Sequence, residues 1–257
     1  MSKDITPILD GWDYDSDELQ VRIVEGVDGT DKIQMRVDLG LIQMELSARP
    51  DGVRPFGFDS LLDYHKAKAA KAKGDAYSLD AEACAALMRE GVQYYHRYLA
   101  SFHLQRFDLV ARDTARNLEL FAFVREHATR QRDRVEFDRY RPYVTMMHAR
   151  AVGLAALAKD DHRAALEAID EGIAGIRGFL RDYDQAENEA EFMELAFLLK
   201  WRKDVDGDRP VGPVERLERQ LERAIALEDY EEAARIRDQI RRLNGEEVAD
   251  RGSARGA

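Results

Sequence analysis

Histidine and cysteine are the side chains of this 257-residue chain best suited to ligate a metal or to act as a nucleophile, and their spacing decides what they can do. His96 and His103 fall on one helix face but seven residues apart, about 10 Å along the axis, too far to share an ion directly. His65, His127, His148 and His162 have no i,i+4 partner and no Glu-x-x-His companion. Cys84, the single cysteine, sits in "LDAEACAALM" among helix formers, where it reads as a small buried hydrophobe. Disulfides and Cys-type zinc sites within the chain are excluded. No G-x-x-x-x-G-K-[ST] phosphate loop occurs. The reading is therefore a non-enzyme, with no catalytic, cofactor-binding or metal-binding residue.

Three further stretches carry groups that could bind a ligand. "YYHRYLASFHL" places aromatic rings beside Arg97 and Arg106, as a base-stacking platform would. Core packing suits it better, with Tyr95, Leu99 and Phe102 on the buried stripe and Tyr94 and Tyr98 on a partly exposed face. "RPDGVRPFGF" holds Arg49, Asp51 and Arg54 on a stiff turn, and reads as a loop joining β to α structure. "RQRDRVEFDRYRP" mixes charges and reads as a solvated helix end, as does "HKAKAAKAK", whose lysines at 66, 68, 71 and 73 spread around the helix. A net charge of −11 argues against general attraction to nucleic acid. No run of about 18 apolar residues and no basic-then-apolar start is present, so the chain is expected to be cytoplasmic, with no membrane contact.

The elements that would position these residues follow from periodicity. From Leu19 to Leu46 the pattern has period two: Leu19, Val21 and Ile23, an Asp28-Gly29 turn, then Ile33, Met35, Val37 and Leu39. At Gly40 the phase slips to Ile42, Met44 and Leu46, which predicts a bulge or sharp bend there. Beyond Asp59 the period is helical. A helix opens at Ser60 and closes at Gly74; a long amphipathic stretch carries Leu87, Val92, Tyr95, Leu99 and Phe102; helices follow over about 108–130, 134–158, 162–182 and 185–203, with a break before Pro142. In the last of these Phe192, Leu195 and Leu199 point inward and Trp201 seals the end. "RAVGLAALAKDDHRAALEAIDEGI", with Gly153, Ala165, Ile169 and Gly172, resembles one tetratricopeptide hairpin, in which small residues let antiparallel helices approach closely.

These readings give a mainly α chain. It comprises a β-containing N-terminal element over 1–58, a helical bundle, partly tetratricopeptide-like, over 59–203, a linker over 204–213, a helical hairpin over 214–243 and a disordered tail over 244–257. In the hairpin Leu217, Leu221, Ala224 and Leu227 form one stripe, and Tyr230, Ala233, Ile240 and Leu243 the other. Asp229 with Glu232 makes a capping box between them. Acid-before-base pairs at i,i+4 (Glu215 to Arg219, Glu231 to Arg235, Asp238 to Arg242) add a few tenths of a kcal/mol each.

"LEDYEEAARIRDQI", Leu227 to Ile240, is similar to the UVR motif, the helical hairpin found in the excision-repair helicase UvrB, the nuclease UvrC and Clp-associated regulators such as McsA. Leu217, Leu221, Ala224, Glu228, Tyr230, Glu232, Ala233, Ala234, Arg237, Asp238 and Ile240 fall where that motif expects them. The resemblance implies an adapter that joins proteins, either by self-pairing or by binding a UvrB/UvrC-like or Clp-system protein. Leu217, Leu221, Ala224, Leu227, Tyr230, Ala233, Ala234 and Ile240 would then supply apolar contact, with Arg237 and Asp238 fixing register. An accessory role in excision repair, reaching DNA only through UvrA, UvrB or UvrC, is the alternative. The stretch "KIQMRVDLGLIQMEL" with "RPDG" and "SLLDY" resembles a bacterial group of UVR-motif proteins, a likeness that brings no activity with it.

Overall fold

A computed structural model describes residues 4–72 and 77–208, and beyond them Leu217, Gln220, Leu221, Ile225, Ala234–Arg237 and Gln239–Arg241. The period-two stretch forms an antiparallel sheet in the order β1 (Val21–Glu25), β2 (Asp31–Val37), β3 (Gly40–Glu45), preceded by a single helical turn, α1 (Thr6–Leu9). Gly29 takes φ +72° in the first turn, where glycine meets no steric cost. Leu19 lies outside β1 and is exposed.

No bulge marks Gly40. Val37 pairs directly with Gly40 across a turn made by Asp38 and Leu39, and Met35 pairs with Ile42, Ile33 with Met44. Residues paired across an antiparallel ladder point to the same face, so a two-residue turn that sets odd positions against even ones reverses the parity without a break. Ile33, Met35 and Met44 thereby share one buried face, which packs on Ala100.

The helices are α2 (Leu61–Lys71), α3 (Ala81–His103), α4 (Phe107–His127), α5 (Gln131–Asp138), α6 (Arg141–Leu157), α7 (His162–Asp182) and α8 (Met193–Asp208). Ser60 caps α2 by accepting from the Asp63 N–H, and Asp80 and Asp161 cap α3 and α7 the same way. α2 ends at Lys71; Gly74 lies outside the described residues. Pro142 falls in the first turn of α6, where its missing N–H is no loss, and this separates α5 from α6. A 3-10 turn, Ala186–Glu191, precedes α8.

α6 and α7 run antiparallel through a seam of small residues. A Cβ added at Gly172 would lie 2.6 Å from that of Ala149, and one at Gly153 would lie 2.6 Å from the Trp201 ring. In α8 the inward residues are Leu195 and Leu198, while Leu199 is exposed. The helix also runs five residues past 203, into the stretch read as linker, and Val205 there is buried against the α6–α7 core. Residues 209–213 and 242–257 lie outside the described set.

The buried stripe of α3 differs from the one periodicity suggests. Cys84, Leu87, Gly91, Tyr94, Tyr98 and Ser101 face inward, whereas Val92 and Tyr95 are exposed and Leu99 and Phe102 half-buried. Glu90 and Arg97 are buried with that stripe, and partners on other elements explain why. Arg97 makes a two-pronged bond to Asp113 of α4, at 2.6 and 2.9 Å, and donates to the carbonyls of Glu45 and Ala48 at 2.9 and 2.8 Å. Arg112 donates to Asp113 at 2.9 Å and to the Leu46 carbonyl at 2.8 Å. One carboxylate thus holds two guanidinium groups that fasten the end of the sheet to the helices. Glu90 accepts from the Leu61 and Leu62 N–H groups at the start of α2 and from Arg116, which stacks on Tyr94.

Chain contacts divide into two compact units, Met1–Asp206 and Gly207–Ala257. Among the described residues no helix is long and apolar enough to cross a membrane.

Candidate protein-interaction site

Several of the groups singled out from the sequence are engaged in packing or pairing within the first unit. Arg97, a candidate for contacting bases, is 1% exposed and committed to Asp113. Tyr94 and Tyr98, expected on the partly exposed face, are buried; the arginine pairing above rotates α3 so that they face the core. Arg49 pairs with Asp51 at 3.1 Å and approaches Glu90 at 3.5 Å, while Arg54 pairs with Asp59 on the surface, so the loop is braced internally. The charged stretch at 130–142 is not wholly solvated: Phe137 and Asp138 are buried, and Asp138 accepts from Arg141 and from the Tyr183 hydroxyl, each at 2.9 Å.

Cys84 is buried, and desolvation pushes its thiol up to about 11, which keeps it protonated. Among the described residues no three His, Cys, Asp or Glu side chains converge as a metal site requires. His148 Nδ1 meets the Thr114 hydroxyl at 3.0 Å, and His65 Nδ1 meets that of Tyr77. Burial holds His65, His96 and His148 below the usual imidazole range. A histidine kept neutral by the fold contributes stability that is complete above its unfolded value of about 6.5 and is lost as pH falls below it. Urea midpoints are accordingly expected to fall between about pH 7.5 and about pH 5.5, with a smaller difference in His148→Asn. Equal differences in the two proteins would remove His148 from this account.

In the second unit Leu217 and Leu221, four residues apart at helical positions, pack with Ile240 against Ile236. Ile236 is 4% exposed; Leu217, Leu221 and Ile240 are half-buried. The i,i+4 pairs 217/221 and 236/240 therefore cover one another, as two amphipathic faces do when helices pack. Ala234 is half-buried and Arg237 exposed. Ala224, Leu227, Tyr230, Ala233 and Asp238, also expected at the interface, lie outside the described residues, as do the Asp229/Glu232 cap and Leu243. Two positions absent from the sequence-based set stand out: Ile236, the centre of the cluster, and Ile225, at a helical position and 52% exposed. Both follow the four-residue spacing, Ile225 from Leu221 and Ile236 from Ile240, which was the available signal.

Residues 213–246 match the family model described as the UvrB/uvrC motif. The chain carries a UVR motif. No curated protein and no solved structure matches the chain. The UVR motif takes in the whole of the Leu217–Ile240 cluster, so the part of the chain with a family likeness is also a part that builds its own apolar centre.

Proposed function

We propose that this protein is a non-enzymatic adapter or regulator that binds a partner protein through its UVR motif. The match at 213–246 carries the reading, because UVR hairpins are known for joining proteins. Physical reasoning supports it. A hairpin of some thirty residues closes a very small core. After Ile236 is covered, Ile225 is still exposed and Leu217, Leu221 and Ile240 are only half-covered. Apolar surface of this kind gains most from burial against another chain. Self-pairing and a Clp-system partner are the two occupants in this reading.

A second reading, an accessory factor of nucleotide excision repair, is favoured by the name of the matching family, that of UvrB and UvrC. Affinity capture separates the two when the intact chain is compared with a version ending at Asp208, which preserves the buried Val205 and all of α8. Recovery of UvrA-, UvrB- or UvrC-type proteins selects the repair role; recovery of Clp components or of the chain itself selects the adapter. Ile225→Glu is expected to weaken whichever association is found by about tenfold or more while leaving helical content unchanged, since the side chain is exposed. Associates retained in full by the version ending at Asp208 would remove the motif from the account.

A further inference from the structure

The first unit contains a partly open cavity of about 580 Å³, within the size range of small-molecule sites. α3, α4, the α5–α6 junction and the first turn of α8 supply its walls. Tyr95, Tyr98, Tyr140 and Tyr143 line it with Phe121 and His96. Tyr95 and Tyr98 meet edge to face, with ring centroids 5.4 Å apart. The hydroxyls of Tyr95, Tyr98 and Tyr143 make no hydrogen bond to any described residue.

Two lining residues carry charged side chains, Arg139 and Glu194, and they differ in what they already hold. Arg139 is committed: it pairs with Glu136 at 3.3 Å and donates to the Tyr140 hydroxyl at 2.8 Å. Glu194, half-buried in the first turn of α8, has no ion-pair partner among the described residues. Its position suits the helix dipole and leaves its oxygens open to a ligand. Arg150 lies outside the lining, held between the rings of Phe102 and Phe197 at 4.5 and 4.8 Å.

Ring faces attract cations, and an unmatched carboxylate lining the same cavity supplies the counter-charge. An anion would meet the carboxylate of Glu194 and be repelled. A neutral molecule would leave that carboxylate desolvated without compensation. We propose that this cavity binds an organic cation, an ammonium group on an apolar stem, with Glu194 as counter-ion and the tyrosines as walls. The cation is either a free amine or a basic side chain of a partner, and both present the same chemistry.

Calorimetric titration of the full-length chain with phenethylammonium chloride and with 2-phenylethanol, of similar shape but uncharged, tests this directly. The ammonium is expected to bind saturably and at least about tenfold more tightly than the alcohol. Glu194→Gln, with circular dichroism matching the parent, is expected to bring the ammonium down to the affinity of the alcohol. A parallel titration with an acetylated, amidated tripeptide Gly-Lys-Gly assigns the source: tighter binding of the peptide points to a partner's side chain, tighter binding of phenethylammonium to a free amine. No saturable binding of either cation, equal affinity for ammonium and alcohol, or an unchanged ammonium affinity in Glu194→Gln would each overturn the proposal.

Discussion

Asp113→Ala is expected to lower the unfolding free energy of the first unit by about 3–5 kcal/mol, the usual cost of leaving one member of a buried ion pair alone. Asp113 and Arg97 are each 1% exposed along their side chains, so water cannot replace the lost partner. The damage should also be directional. Arg97 and Arg112 reach the carbonyls of Glu45, Leu46 and Ala48 only because Asp113 orients them. Amide exchange in β2 and β3 should therefore accelerate more than exchange in α6 and α7, whose core of Ile169, Ile173 and Leu180 does not touch the pair. The double change Arg97→Met with Asp113→Leu should recover much of the loss, because two apolar side chains need no counter-charge. Urea unfolding followed by hydrogen exchange measures both effects. An Asp113→Ala protein as stable as the parent would mean that the two arginines do not depend on that carboxylate.

Ile236→Glu is expected to abolish association through the UVR motif altogether. Ile236 is the one buried member of the apolar cluster among the described residues of the second unit, and a carboxylate there would be surrounded by Leu217, Leu221 and Ile240. A core this small supplies only about 3–5 kcal/mol, comparable with the penalty for burying an unpaired charge, so the hairpin should unfold. Capture of a partner should drop to background, with a loss of helical signal confined to the motif. The melting of residues 4–206 should be unchanged, since they form a compact unit of their own. The contrast with Ile225→Glu is diagnostic, because a change at that exposed position should weaken the association and keep the helices. A partner retained by Ile236→Glu would show that association does not need a folded motif.

Several elements were readable from the sequence because the information they need is local. The Ser60 cap, the Asp28-Gly29 turn and the break at Pro142 each depend on residues within one turn of chain. The UVR motif was readable for the same reason: its order of leucines, alanines and the Arg237-Asp238 pair is packed into one short stretch. Gly40 shows the limit. The parity change was visible, but whether a bulge or a two-residue turn produced it depends on which residues pair across β2 and β3, and pairing is not a property of either strand alone.

The inward face of α3 went wrong for a more general reason. Two stripes on that helix satisfy three-and-four spacing, and hydrophobicity favours the one free of charged residues. The structure buries the other, because Asp113 neutralises Arg97, Arg116 and two backbone N–H groups satisfy Glu90, and the carbonyls of Glu45 and Ala48 accept from the Arg97 guanidinium as well. Likewise Leu198 replaces Leu199, and α8 continues through the acidic residues 204–208 because Val205 finds the α6–α7 core. By itself the sequence determined the mainly helical class, the N-terminal β element, the Ser60 cap and the motif, all of them set by interactions between near neighbours. Tertiary structure alone decided which polar groups are buried and which tyrosines share a cavity with Glu194, because burial of a charge is permitted only by a partner brought from elsewhere in the chain.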